Sequence, residues 1–154
     1  MTTSFEKYSV TFDDYSLSYN FESVGPNGII KKIIQFEKIK GPKENIYNLT
    51  LGDWDENKKI LDDLAISNNN DTSKVLFTVA RTILEFTKHR VDTHILFAGS
   101  TESRTRLYQI AISKNIKEIN KLFDVQGFKN GYWKEFNPGG NFEAFLIKRR
   151  PKEL

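Results

Sequence analysis

Arg104 and Tyr108 stand four residues apart, a spacing that places both on one face of a helix. A phenol of pKa about 10 stays protonated at neutral pH and can donate to a leaving thiolate. A guanidinium fork matches a phosphate. The rival reading has Tyr108 packed for structure and Arg104 solvated or ion-paired. Arg106 is close in sequence but on another face. Just ahead lie Ser100, Thr101 and Ser103, hydroxyls suited to turn and cap the chain as a helix begins. A second polar run, Ser67 to Ser73, holds Asn69, Asn70, Asp71 and Thr72. It precedes a strong helical pattern, so Asp71 or Thr72 is expected to cap that helix and Asn69, Asn70, Thr72 and Ser73 to lie near its free amides.

Other chemistry-bearing residues carry less. The chain has no cysteine, which excludes a thiolate nucleophile, a disulfide framework and cysteine-ligated zinc or iron. Two histidines, His89 and His94, cannot make a three-histidine metal site and have no visible carboxylate partner. Asp53, Asp55, Asp62 and Asp63 lack the spacing of a known metal loop. Tyr15, Tyr19, Phe21 and Tyr47, with Lys31 and Lys32, form either a stacking platform for single-stranded nucleic acid or, as alternating strand aromatics more often do, part of a core. Trp54 and Trp133 read as packing residues.

The elements that would position these groups follow from periodicity. Tyr15 to Phe21 alternates and predicts a strand; Val24-Gly-Pro-Asn-Gly28 is a turn; Ile29 to Ile39 is a long strand broken at Gly41-Pro42. Asn45 to Leu51 alternates and stops at Gly52. Asp53 to Asn70 is polar, with a patch at Ile60, Leu61, Leu64 and Ile66 that could hold a short helix. Val75, Leu76, Val79, Ala80, Ile83, Leu84 and Phe86 mark an amphipathic helix over 73–88. Thr93 to Ala98 is a short strand, a helix follows to Lys114, and 116–123 continues helically. Tyr132–Phe136 and Phe142–Lys148 flank Asn137-Pro-Gly-Gly-Asn141 and read as a closing hairpin.

The 154 residues fit one domain, 1–154, with no internal repeat and no dividing linker. Net charge is +3, too mild to mark a nucleic-acid binder by itself. Asp53–Asp71 carries −4 and Phe142–Leu154 carries +2, through Lys148, Arg149, Arg150 and Lys152. No signal peptide and no window of 18 apolar residues is visible, so a cytoplasmic protein without a membrane span is expected.

The order of strands and helices, together with Leu107-Tyr108 in the second helix, resembles the GNAT acyltransferase fold without its usual first helices. The resemblance implies an α+β fold, β-β-β-α-β-α-β-β, with a largely antiparallel sheet. It implies Tyr108 as general acid toward the thiolate of coenzyme A. It also implies a coenzyme cleft at Asn69, Asn70, Thr72, Ser73 and Arg104, with acetyl-CoA as its ligand. The stretches Asn70–Phe86, Ile95–Phe97 and Ser103–Tyr108 are similar to a divergent GNAT-like group of phage and bacterial proteins. Over nearly the whole chain, Gly25–Gly28, Tyr47–Leu49, Gly99–Tyr108 and Phe142–Phe145 resemble an uncharacterised family of small bacterial proteins.

The chain also departs from the GNAT pattern. Its loop at Ser67–Ser73 has no glycine and carries Asp71, where active enzymes use glycines to bring amides onto a pyrophosphate. Arg104 stands where a small residue is usual, and the glycine-phenylalanine pair after Leu-Tyr is missing. Three functions follow. The first is a degenerate, non-catalytic or weakly catalytic module acting through a protein partner, which the missing glycines favour. The second is a coenzyme A-dependent N-acyltransferase, of toxin type with a small antitoxin partner. The third is a nucleic-acid-binding module using the sheet aromatics and basic tail. The sequence does not set the oligomeric state.

Overall fold

The computed structural model describes residues 6–12, 17–39, 45–62, 69–90 and 92–151. Tyr15, Lys40, Gly41-Pro42, the short helix considered around Leu64 and Ile66, Asp63, Ser67 and Lys152 lie outside them.

A two-residue turn begins the sheet. β2 (Ser18–Gly25) folds back on β3 (Gly28–Lys38) through Pro26-Asn27, with Gly25 opposite Gly28. Pro26 fixes φ and Gly28 sits at φ +91, a value an L side chain resists. β3 pairs antiparallel with β4 (Asn45–Asp55), and β1 (Thr11–Phe12) lies along β2. Core and surface alternate as period 2 requires: Tyr19, Phe21, Ile34, Phe36 and Leu49 are buried. Leu17, read as part of the same apolar face, is 40% exposed and lies just before β2.

Gly52 does not end the strand. β4 continues to Asp55, turns, and β5 (Ile60–Asp62) returns along it, where a short helix had been considered. A Cβ at Gly52 would lie 2.9 Å from the Leu61 side chain, so this glycine admits β5 rather than stopping β4.

α1 (Thr72–Thr87) carries the expected apolar stripe, with Val75, Leu76, Val79, Ile83 and Phe86 buried. The Phe86 ring stacks on Phe36 at 3.9 Å between centroids. α1 returns the chain to β6 (Thr93–Phe97), which pairs with Asn45–Leu49 of β4 in parallel. Such a crossover through a helix is how parallel strands are joined. α2 (Glu102–Lys114) and α3 (Ile116–Leu122) follow, then β7 (Phe123–Lys129), β8 (Tyr132–Glu135) and β9 (Ala144–Arg149). All three helices contribute side chains to one core.

The closing hairpin differs from expectation. β7 and β8 form it around Asn130-Gly131, both at positive φ, and β9 pairs with β6 on one side and β7 on the other. Phe123, read as the end of a helix, opens β7, whose alternate residues Phe123, Val125 and Gly127 are buried. The strand order is β1-β2-β3-β4-β6-β9-β7-β8, with β5 on β4. The fold is α+β with a mostly antiparallel sheet, as expected; β4–β6 is the single parallel pair among the described strands. No described helix is long and apolar enough to cross a membrane.

A candidate cleft between two diverging strands

The parallel ladder ends at Leu49 opposite Phe97. Beyond it β4 runs on toward β5, while the chain leaves β6 through Gly99 into α2. The divergence opens a cavity of about 310 Å³. Its walls include Leu51 and Asp53 of β4, Lys32 of β3, the loop 69–72, Phe97, and Arg104 and Tyr108 of α2. A shallower groove of about 680 Å³ shares Asn69, Asn70, Asp71 and Thr72 with it. The two hollows therefore adjoin across the entry to α1.

The α2 wall is built by a local cap. Thr101 accepts from the Arg104 amide at 3.2 Å, as expected of Ser100 or Thr101. The Thr105 hydroxyl accepts from the Gly99 amide at 3.0 Å, drawing the turn onto the helix. A Cβ at Gly99 would meet the Thr105 nitrogen at 2.5 Å, so only glycine permits this approach. Tyr108 rests on Phe97, ring centroids 4.6 Å apart. Among the described residues its hydroxyl makes no hydrogen bond. Burial pushes the Tyr108 phenol above its usual value, the Arg104 guanidinium pulls it down, and the Asp53 carboxylate pushes it up. Arg104 lines the cavity and leaves it open; Ser103 lines it too, whereas Arg106 is exposed and outside it.

The opposite wall is held by internal pairs. Buried Lys32 and half-buried Asp53 face each other across β3 and β4, Nζ to Oδ1 2.5 Å. Lys32 shares the inward strand face with Ile34 and Phe36. That parity was the signal in the sequence for a buried lysine rather than a stacking partner of Lys31. Asn69 is 3% exposed: its Nδ2 donates to the Gly28 carbonyl at 3.0 Å and to the Ser23 hydroxyl at 3.1 Å. Its Oδ1 accepts from the Asn27 amide at 2.7 Å.

Asp71 occupies the N-cap position of α1, but its side chain does not cap. Its carboxylate instead accepts from the Ser23 hydroxyl at 2.5 Å and the Tyr8 hydroxyl at 2.6 Å. Tyr8 stacks on Phe21 and takes the Val24 amide as donor at 3.0 Å. Burial and the Asp71 carboxylate raise the Tyr8 phenol. The sequence reading missed Tyr8 because its partners lie far away along the chain. Asn70 adopts φ +58, a left-handed conformation that asparagine tolerates.

Thus Asn69, Asn70, Thr72, Arg104 and Tyr108 meet at one cavity, while Ser73 opens onto the neighbouring groove. Other candidates fall elsewhere. Tyr19 and Phe21 are core residues and offer no face for stacking. Tyr47 packs edge-on against Phe86. Lys148 pairs with Asp92 and Arg150 with Asp124, and Arg149 donates to the Leu84 carbonyl. His89 is exposed and His94 half-buried in β6; no cluster of three metal-ligating side chains occurs among the described residues.

No curated protein and no solved structure shows a significant match to this chain. Residues 4–150 do match the model of a family of unknown function, DUF6934, and the chain belongs to that family.

Proposed function

We propose that the cleft between β4 and β6 is an acyl-coenzyme A site and that the chain is a GNAT-like N-acyltransferase. One observation carries this reading: β4 parts from β6 beside Tyr108, which lines an open cavity and whose hydroxyl has no hydrogen-bond partner among the described residues. The cavity, at about 310 Å³, is of a size that holds part of a small ligand, and the adjoining groove extends it past the α1 N-terminus. An extended thioester fits that shape. Attack of an amine on its carbonyl forms the amide carbon–nitrogen bond and breaks the carbon–sulfur bond; Tyr108 would give its proton to the departing thiolate and regain one, through water, from the nitrogen that becomes the amide. A phenol raised by burial remains protonated for that role. Arg104 would hold a phosphate or the developing charge.

A second reading has its own support. The loop 69–72 has no glycine, and Asn69 and Asp71 are committed to Ser23, Tyr8 and the β2–β3 turn. This favours a degenerate GNAT-like module that acts through a protein partner.

Thermal unfolding with acetyl-CoA, and separately with desulfo-CoA, decides between them. Ligand at about 100 times its Kd stabilises the fold by about 2.7 kcal/mol and raises Tm by several degrees. Turnover of acetyl-CoA lost in Tyr108→Phe, with the shift retained, supports general-acid catalysis. No shift at millimolar ligand overturns the acyltransferase reading.

A further inference from the structure

β8 is one end of the sheet: it pairs with β7 and, among the described residues, with nothing beyond. All four of its residues are exposed, Tyr132 at 76% and Trp133 at 41%. The opposite end, β1, is two residues long. An exposed edge presents unpaired backbone N–H and C=O groups to which another strand can add.

The turn fixes which groups of β8 point outward. Lys129 and Tyr132 flank the two-residue turn Asn130-Gly131 and so form its hydrogen-bonded closing pair. Phe128 and Trp133 are then a non-hydrogen-bonded pair. The N–H and C=O of Trp133 therefore face the open edge, as do those of Glu135. Side chains alternate, so Trp133 lies on one face with Phe128, and Tyr132 and Lys134 lie on the other.

We propose that β8 pairs antiparallel with β8 of a second copy of this chain, about a two-fold axis at Trp133. Three features select the partner and the register. A two-fold axis at Trp133 brings its outward N–H and C=O against those of the second Trp133, giving two reciprocal hydrogen bonds. On the other face the same register sets Tyr132 opposite Lys134 of the second copy, twice, so that Lys134, whose ammonium lies 5.7 Å from the Phe142 ring centre of its own chain, would turn to the facing tyrosine. Moving the axis to Lys134 would oppose two lysines, and moving it to Tyr132 would oppose Trp133 to a turn glycine. The strand is thus complementary to itself, as an isologous interface requires. The edge is short, so the dimer is a weak one, in the high micromolar range.

The absence of cysteine makes the register directly readable. Opposed residues of a hydrogen-bonded pair have Cα atoms about 5.5 Å apart, within disulfide range. Under mild oxidation Trp133→Cys is expected to give a linked dimer and Lys134→Cys to stay monomeric. A mixture of Tyr132→Cys and Lys134→Cys chains should give the crossed dimer, which tests the register without touching Trp133. In sedimentation velocity, Trp133→Glu places two carboxylates on the axis and should weaken self-association about 100-fold. Tyr132→Lys should weaken it less, and Tyr132→Glu should restore it. Crosslinking of Lys134→Cys as readily as Trp133→Cys overturns the proposal. So does a wild-type chain that sediments as a monomer at millimolar concentration.

Discussion

The two walls of the cleft are made differently. On the side of β3, β4 and the loop 69–72, four polar side chains are held inside the protein: Lys32 with Asp53, Asn69 with the β2–β3 turn, Asp71 with Ser23 and Tyr8. On the α2 side the Tyr108 hydroxyl has none among the described residues. A wall whose polar groups satisfy one another holds a shape; a wall with an unsatisfied hydroxyl can meet a ligand. On the proposed reading, one side of the cleft supports and the other meets the ligand.

Four predictions test that division, the largest effect first. Lys32→Ala removes the partner of the half-buried Asp53 carboxylate and should cost about 3 kcal/mol, read by chemical denaturation. If Lys32→Ala instead leaves stability alone and abolishes ligand binding, the division of labour is wrong. Asp71→Ala removes the acceptor shared by Tyr8 and Ser23 and should cost about 2 kcal/mol. The third prediction concerns alkaline pH. Tyr8 and Tyr108 both have phenols raised above the ordinary 10.0. The folded state then holds protons that the unfolded state releases first. Their stabilisation is complete below pH about 10 and is lost as pH rises from there through the folded values. Tyr8→Phe and Tyr108→Phe should each flatten the alkaline limb of stability against pH; an unchanged limb in both would remove the burial argument. The smallest change is Tyr108→Phe at neutral pH, within about 0.5 kcal/mol of wild type, because no protein hydrogen bond is broken. A loss well beyond that would make the tyrosine structural.

Local pattern made much of this legible. The α1 stripe, β6 and the cap at Thr101 could be read because periodicity and capping act within a few residues. Asn69, Asn70, Thr72, Arg104 and Tyr108 do line one cavity, Arg104 and Tyr108 as their i,i+4 spacing on α2 requires. Glycines misled where their reason was distant: Gly52 yields to β5 and Gly127 to the Phe142 ring, whose atoms a Cβ would meet at 2.3 Å. Gly52 was read as the end of a strand, which hid β5. The roles of Asp71 and Tyr8 were illegible for a related reason. A carboxylate at an N-cap position normally turns to its own helix, and only tertiary contact with the first residues of the chain redirects it.

The parallel ladder between β4 and β6 has a consequence for the order of assembly. β2 and β3 can zip through Pro26-Asn27, β3 and β4 are close along the chain, and β7 and β8 can zip through Asn130-Gly131. The rungs from Asn45–Thr93 to Leu49–Phe97 must instead wait until α1 has formed and folded back. Closing so long a loop is entropically costly and rewarded late. Mutations in these rungs should therefore speed unfolding more than they slow folding. The cleft opens where this parallel ladder stops, so both of its walls exist only once α1 has brought β6 beside β4.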